Sequence, residues 1–187
     1  MGLPRRWQMT APMTHPRGRH ACVVAQGVVY ALGGVDVTGK VLSSVERFNF
    51  DKRAWEVTCT MPEPRRDFGC VVANGKVYVV GGASTPLGMS EKACTASVFE
   101  YTPASDTWQA LSPMRHARQG LTCSHLHGKI YALGGSDVDD IAPAAERLRV
   151  VERLDLDKLQ WEECASMHMA RSHLGSGVVA MPADNES

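Results

Sequence analysis

The sequence predicts an all-β protein built from a repeated four-stranded unit. Three observations carry this. The phrase VVYALGG at 28–34 returns as KVYVVGG at 76–82 and KIYALGG at 129–135. The distance from a Trp to the second Gly of the next Gly-Gly pair is always 27 residues: Trp7 to Gly34, Trp55 to Gly82, Trp108 to Gly135. No stretch combines helix caps with a helical period, and self-similarity near 50 residues is the mark of a blade or solenoid unit.

The first strand of each unit is apolar and small: HACVVA, GCVVA and LTCSHL. A turn centred on Gly27, Gly75 or Gly128 follows. The repeated phrase is the second strand, rich in Val, Ile and Tyr as strands prefer, and the pairs Gly33–Gly34, Gly81–Gly82 and Gly134–Gly135 stop it. A loop of adjustable length comes next, because the return from Gly-Gly to Trp takes 21 residues once and 26 twice. The third strand alternates apolar and polar residues in SVERFNF, SVFEYT and VVERLDL. PAAERLRVVERLDL tempts a helical reading, yet its second half aligns with the other third strands. The fourth strand begins at Trp55, Trp108 and Trp161.

More columns stand in register. Six residues after each Trp come Met13, Met61, Met114 and Met167; ten after come Arg17, Arg65, Arg118 and Arg171. Fifteen after come Cys22, Cys70 and Cys123, then Ser176. Trp and Tyr are expected to wedge between units, and the Arg column to tie one unit to the next through carbonyls or carboxylates. Such sheets cannot bury both faces alone, so the units must stack, and the radial solution is a β-propeller.

The pattern running from Arg17 through Val23–Val24, Gly27, Tyr30, Gly33–Gly34 and Ser44–Val45–Glu46 to Trp55 resembles the kelch repeat. The resemblance extends from residue 7 to about 181. It implies a kelch-type propeller, here incomplete: three four-stranded blades plus one orphan strand at each end. The divisions are an orphan fourth strand and linker (1–16), repeats over 17–62, 63–115 and 116–168, the start of a fourth (169–181), and a polar tail (182–187). Propellers close with roughly four to eight blades. Three explanations stay open: a piece of a longer propeller, a homodimer whose two arcs complete one ring, or a small strained ring.

Composition narrows the function. Lys plus Arg equals Asp plus Glu, 20 against 20, without the basic excess of a nucleic-acid binder. No apolar run approaches the ~20 residues of a membrane span, and MGLPRR is neither a signal peptide nor a good myristoylation site. Six Cys without a C-x-x-C pair fit a reduced compartment, cytoplasmic with the nucleus as the alternative. Cys123, His125 and His127 alternate as metal ligands would, but Cys22, Val24 and Gln26 fill the same columns, so neither metal nor cofactor is expected. The acidic loop with Asp137, Asp139, Asp140 and Glu146 lacks the glycine and spacing of a calcium loop and reads as a solvated inter-strand loop, acidic enough to attract a basic partner.

In kelch-like propellers, partner-binding residues gather on the loops of one face. Two residues past the Arg column the side chain stops repeating, giving Arg19, Asp67, Gly120 and His173. Arg19, Asp67 and His173, with the acidic loop, are the candidate partner-binding residues. The resemblance implies non-catalytic protein–protein recognition by a scaffold or substrate-recognition propeller. Kelch-like adaptors of cullin-based ubiquitin ligases often carry a BTB domain, so that role needs a longer form or a separate partner. The alternative implied by the same family is a sugar-processing enzyme, of the galactose oxidase or sialic-acid epimerase type.

Overall fold

The computed structural model describes residues 9–86, 94–138 and 147–178. Over them the chain forms three four-stranded antiparallel sheets, and no residue is helical. The first blade holds β1 (Ala21–Ala25), β2 (Val28–Leu32), β3 (Ser44–Asn49) and β4 (Ala54–Thr60). The second holds β5 (Gly69–Ala73), β6 (Lys76–Val80), β7 (Val98–Thr102) and β8 (Thr107–Leu111). The third holds β9 (Thr122–Leu126), β10 (Lys129–Leu133), β11 (Val151–Asp155) and β12 (Gln160–Cys164). Sheet order equals chain order in every blade, with β1, β5 and β9 as neighbouring inner strands.

Local chemistry explains the hairpins. Gln26–Gly27, Asn74–Gly75 and His127–Gly128 all have positive φ at both positions, the geometry of a two-residue turn that matches strand twist. Asn49 Oδ1 accepts the N–H of Asp51 and Lys52, and Asp155 Oδ1 accepts those of Asp157 and Lys158, so two of the outer turns are pinned by their own first residue. The stretch 150–156, open to a helical reading, contains β11.

The core lies between blades rather than within one. Ala25, Tyr30, Leu32 and Val45 of the first blade meet Val77, Val79 and Tyr101 of the second. Ala73, Tyr78, Val80 and Val98 of the second meet Ile130, Ala132, Leu154 and Trp161 of the third. Trp and Tyr do wedge here. Tyr101 stacks on Trp108 at 4.8 Å and meets Tyr30 of the first blade edge-on at 6.0 Å. Trp161 donates its Nε1 hydrogen to the Ser112 carbonyl of the second blade at 2.9 Å.

Of the two orphan strands, the C-terminal one needs correction. The fourth-strand reading around Trp7 lies largely outside the described residues, and Met9 and Thr10 are not in a strand. At the other end, residues 171–178 form no ladder. The reason is that β1, β5 and β9 each pair only with the second strand of their own blade, and an unpaired strand has nowhere to place its backbone hydrogen bonds.

Candidate functional site

Each blade turns its β2–β3 loop and the linker before its first strand to the same face, and the Arg column builds that face. Arg17 Nη1 donates to Gly33 O at 2.9 Å and Ser44 O at 3.0 Å. Arg65 does the same to Gly81 O and Ser97 O, and Arg118 to Gly134 O and Val150 O. Meanwhile the Arg65 backbone is held by the previous blade: Gly34 N–H donates to Arg65 O and Arg65 N–H to Leu42 O. Backbone in one blade and guanidinium in the next is how the column ties blades together. Burial pushes the Arg65 and Arg118 guanidiniums down from their ordinary pKa, and Glu63 and Glu152 work against that shift.

The Gly-Gly pair is what lets the linker approach. Gly33 and Gly34 have φ of 57° and 93°. A Cβ on Gly33 would stand 2.6 Å from Arg65 O, and one on Gly34 would strike Gly18 O.

Past the Arg column lies the axis. Arg19, Asp67, Gly120 and His173 adopt left-handed φ of 55°, 54°, 62° and 50°. Asp67 N–H donates to Arg19 O at 3.2 Å, Gly120 N–H to Asp67 O at 2.7 Å and His173 N–H to Gly120 O at 2.7 Å. One run of backbone bonds thus links four positions from successive repeats.

The side chains converge as well. Arg19 Nη1 stands 3.0 Å from Asp67 Oδ2, Arg66 Nη1 2.8 Å from the same oxygen, and His173 Nε2 3.4 Å from Oδ1. The Asp67 side chain is only 4% exposed, against 37% for Arg19 and 44% for His173. Asp67 is therefore the hub, and Arg19 and His173 are what a ligand would touch. Arg19 and His173 thus flank the buried carboxylate as its two exposed partners, and Arg66 is its buried one.

A buried relay supports the hub. Arg66 also donates to Gln119 Oε1 at 2.8 Å and to Thr85 O at 3.0 Å, and Gln119 Nε2 donates to Val138 O at 2.9 Å. Loop bases from two blades are thus fixed to the axis. The sequence reading missed Arg66 and Gln119, one residue past the Arg column, and Glu46 and Glu152, nine residues before a Trp; those offsets were the available signal. Asp137 is exposed at the start of the third blade's loop on this face, while Asp139, Asp140 and Glu146 lie outside the described residues. Cys123 packs in the core, and His127 has a φ of 47° because it makes the β9–β10 turn.

A family model described as the KLHDC2/KLHL20/DRC7 Kelch-repeats domain matches residues 5–181. The chain belongs to the kelch-repeat family. Among its relatives, the F-box/kelch-repeat protein OR23 of Arabidopsis thaliana is 31% identical over 96 residues, covering 49% of this chain and 21% of the relative. Kelch-like protein 34 of Homo sapiens is 30% identical over 95 residues, covering 50% and 14%. Beta-scruin of Limulus polyphemus is 35% identical over 80 residues, covering 41% and 8%. The matches thus span about a fifth or less of these curated relatives. In three dimensions the kelch arc superposes on the structure of YjhT with a TM-score of 0.70 at 18% identity, covering 84% of this chain and 54% of that one. That likeness establishes the propeller fold.

Proposed function

We propose that the kelch arc is a non-catalytic recognition module whose axial face binds a carboxylate-bearing segment of a protein partner. The observation that carries this is the run from Arg19 to His173. Its backbone is fixed from blade to blade, its side chains vary, and it exposes two basic side chains around a carboxylate already engaged. Membership of a family that includes F-box/kelch and kelch-like proteins supports the reading. The finer role is substrate recognition for a cullin-based ubiquitin ligase, reached through a longer form or a separate BTB or F-box partner.

The test is affinity capture with quantified partners. Arg19→Glu with His173→Glu should weaken retention of the axial partner about tenfold or more. Lys52→Glu, on the β3–β4 turn of the opposite face, should leave it unchanged. Equal losses in both, or none in either, would overturn the surface assignment. Recovery of no cullin, BTB or F-box protein would count against the ligase role. Calorimetry with N-acetylneuraminic acid and galactose completes the set, since saturable binding of either sugar would favour the enzyme alternative.

A further inference from the structure

The axial column presents bases and also supplies an acid to hold them. Of its four positions, two carry Arg19 and His173, one carries Gly120 and one carries Asp67. The oxygens of Asp67 are divided between the bases: Oδ2 meets Arg19 Nη1 at 3.0 Å and Oδ1 meets His173 Nε2 at 3.4 Å. Both groups that a partner's carboxylate would use are thus already in contact with a carboxylate of the chain. The backbone does not require that acid. Gly120, at φ of 62° in the same column, makes the same two backbone bonds to its neighbours as Asp67 does at 54°.

The three partners of Asp67 differ in what can move. Its backbone is fixed on both sides, by Arg19 O and Gly120 N–H. Its carboxylate is pinned by Arg66, whose side chain is wholly buried. Arg66 in turn donates to Thr85 O and Gln119 Oε1, and its backbone exchanges two 2.9 Å bonds with Ala83. Arg19 and His173 are the exposed partners, and an ion pair open to water is cheap to break. Asp67 keeps Arg66 when Arg19 swings away, so no buried carboxylate is left bare.

We propose that Asp67 is a built-in competitor for the axial site, occupying Arg19 and His173 until the carboxylate of a partner segment takes its place. The inference rests on the axial-binding reading above and adds the residue that sets its affinity. Binding is an exchange: Arg19 turns from Asp67 to the incoming carboxylate, while Asp67 stays on Arg66. The ligand gains only the difference between its own contact and the one it replaces, so the site's apparent affinity is reduced by the fraction of chains in which Arg19 is held. Asp67 also repels an incoming carboxylate directly. The same residue that orders the two bases therefore weakens acidic ligands, and removing it should strengthen their binding. A purely structural residue at the centre of the site would do the opposite.

Fluorescence anisotropy with a labelled, end-capped tetraglutamate peptide tests this, with urea unfolding on the same samples. Asp67→Asn and Asp67→Gly both suit a left-handed backbone, and each should lower the dissociation constant about three- to tenfold. Asp51→Asn, on the β3–β4 turn of the opposite face, makes the same change in net charge as Asp67→Asn and should leave binding unchanged. Arg19→Gln should weaken binding, and in that background Asp67→Asn should lose most of its effect. Equal or weaker binding by both Asp67 variants, with Arg19→Gln still weakening, overturns the competitor and leaves the axial reading standing. So does a gain that persists in full with Arg19→Gln, which is a general charge effect, or unfolding of both Asp67 variants, which makes the residue part of the framework. No response to Arg19→Gln would remove the axial reading itself, and the competitor with it.

Discussion

The first and third blades seat their column arginine in one way and the second blade in another. Glu46 and Glu152 reach up from β3 and β11 with wholly buried side chains and pair with Arg17 and Arg118. Each carboxylate also accepts two linker N–H groups, from Thr14 and His15 in one case and Arg115 and His116 in the other. In the second blade the same β-strand position is Phe99, and the Arg65 guanidinium carbon lies 4.6 Å from its ring centroid. The linker explains the change. Pro62 stands where Thr14 and Arg115 stand, and proline has no N–H to give. A carboxylate at position 99 would be left short of a donor, so the acceptor is gone too, and the counter-charge comes from Glu63 at 2.8 Å, a residue half exposed to water. Donor and acceptor have changed together, which is what a buried polar group demands.

Removing Glu152 gives the largest effect expected from this contrast. Glu152→Ala strands a buried guanidinium and two N–H groups, and should cost about 3–5 kcal/mol in chemical denaturation. A cost near zero would mean the pair is not coupled to folding. Next is a double-mutant cycle. Phe99→Glu alone should destabilise, and adding Pro62→Thr should restore part of the loss, with a coupling energy of about 1–3 kcal/mol. Strict additivity would break the account of why the second blade differs.

Acid sharpens the contrast further. Burial pushes the Glu46 carboxyl up, but the Thr14 N–H, the Arg17 guanidinium and the His15 N–H together hold it below the ordinary range. Because its folded pKa is depressed, its contribution is full above the unfolded value of about 4.3 and is lost as pH falls through the folded value. Glu46→Gln should therefore flatten the pH dependence of stability below about pH 4. An unchanged slope would place the acid sensitivity elsewhere. The smallest effect belongs to Glu63→Ala, under about 1 kcal/mol, since water can replace a half-exposed partner.

The blades were legible because each residue column has one job in every repeat. Gly33–Gly34 must admit a backbone, Trp161 must fill a gap between sheets, and Arg118 must meet two carbonyls, so repetition exposes them. The seat of the column arginine was not legible, since there the repeats differ and the compensation at Pro62 and Phe99 appears only when linker and strand are seen side by side. The axial residues were found as positions that fail to repeat. Their division of labour was not, because the burial of Asp67 follows from Arg66, which no other repeat shares. The C-terminal strand was misread because a strand's sequence can be present without the partner that would pair it.

The run of backbone bonds from Arg19 to His173 has one further consequence. Every bond points the same way, from the N–H of the later residue to the carbonyl of the earlier one. Aligned amides add their dipoles and polarise one another. An arc of them is electrically lopsided, positive toward the N–H of Arg19 and negative toward the carbonyl of His173, whereas a closed circuit of the same bonds would cancel. At its centre, therefore, this chain carries a polarity that no side chain creates.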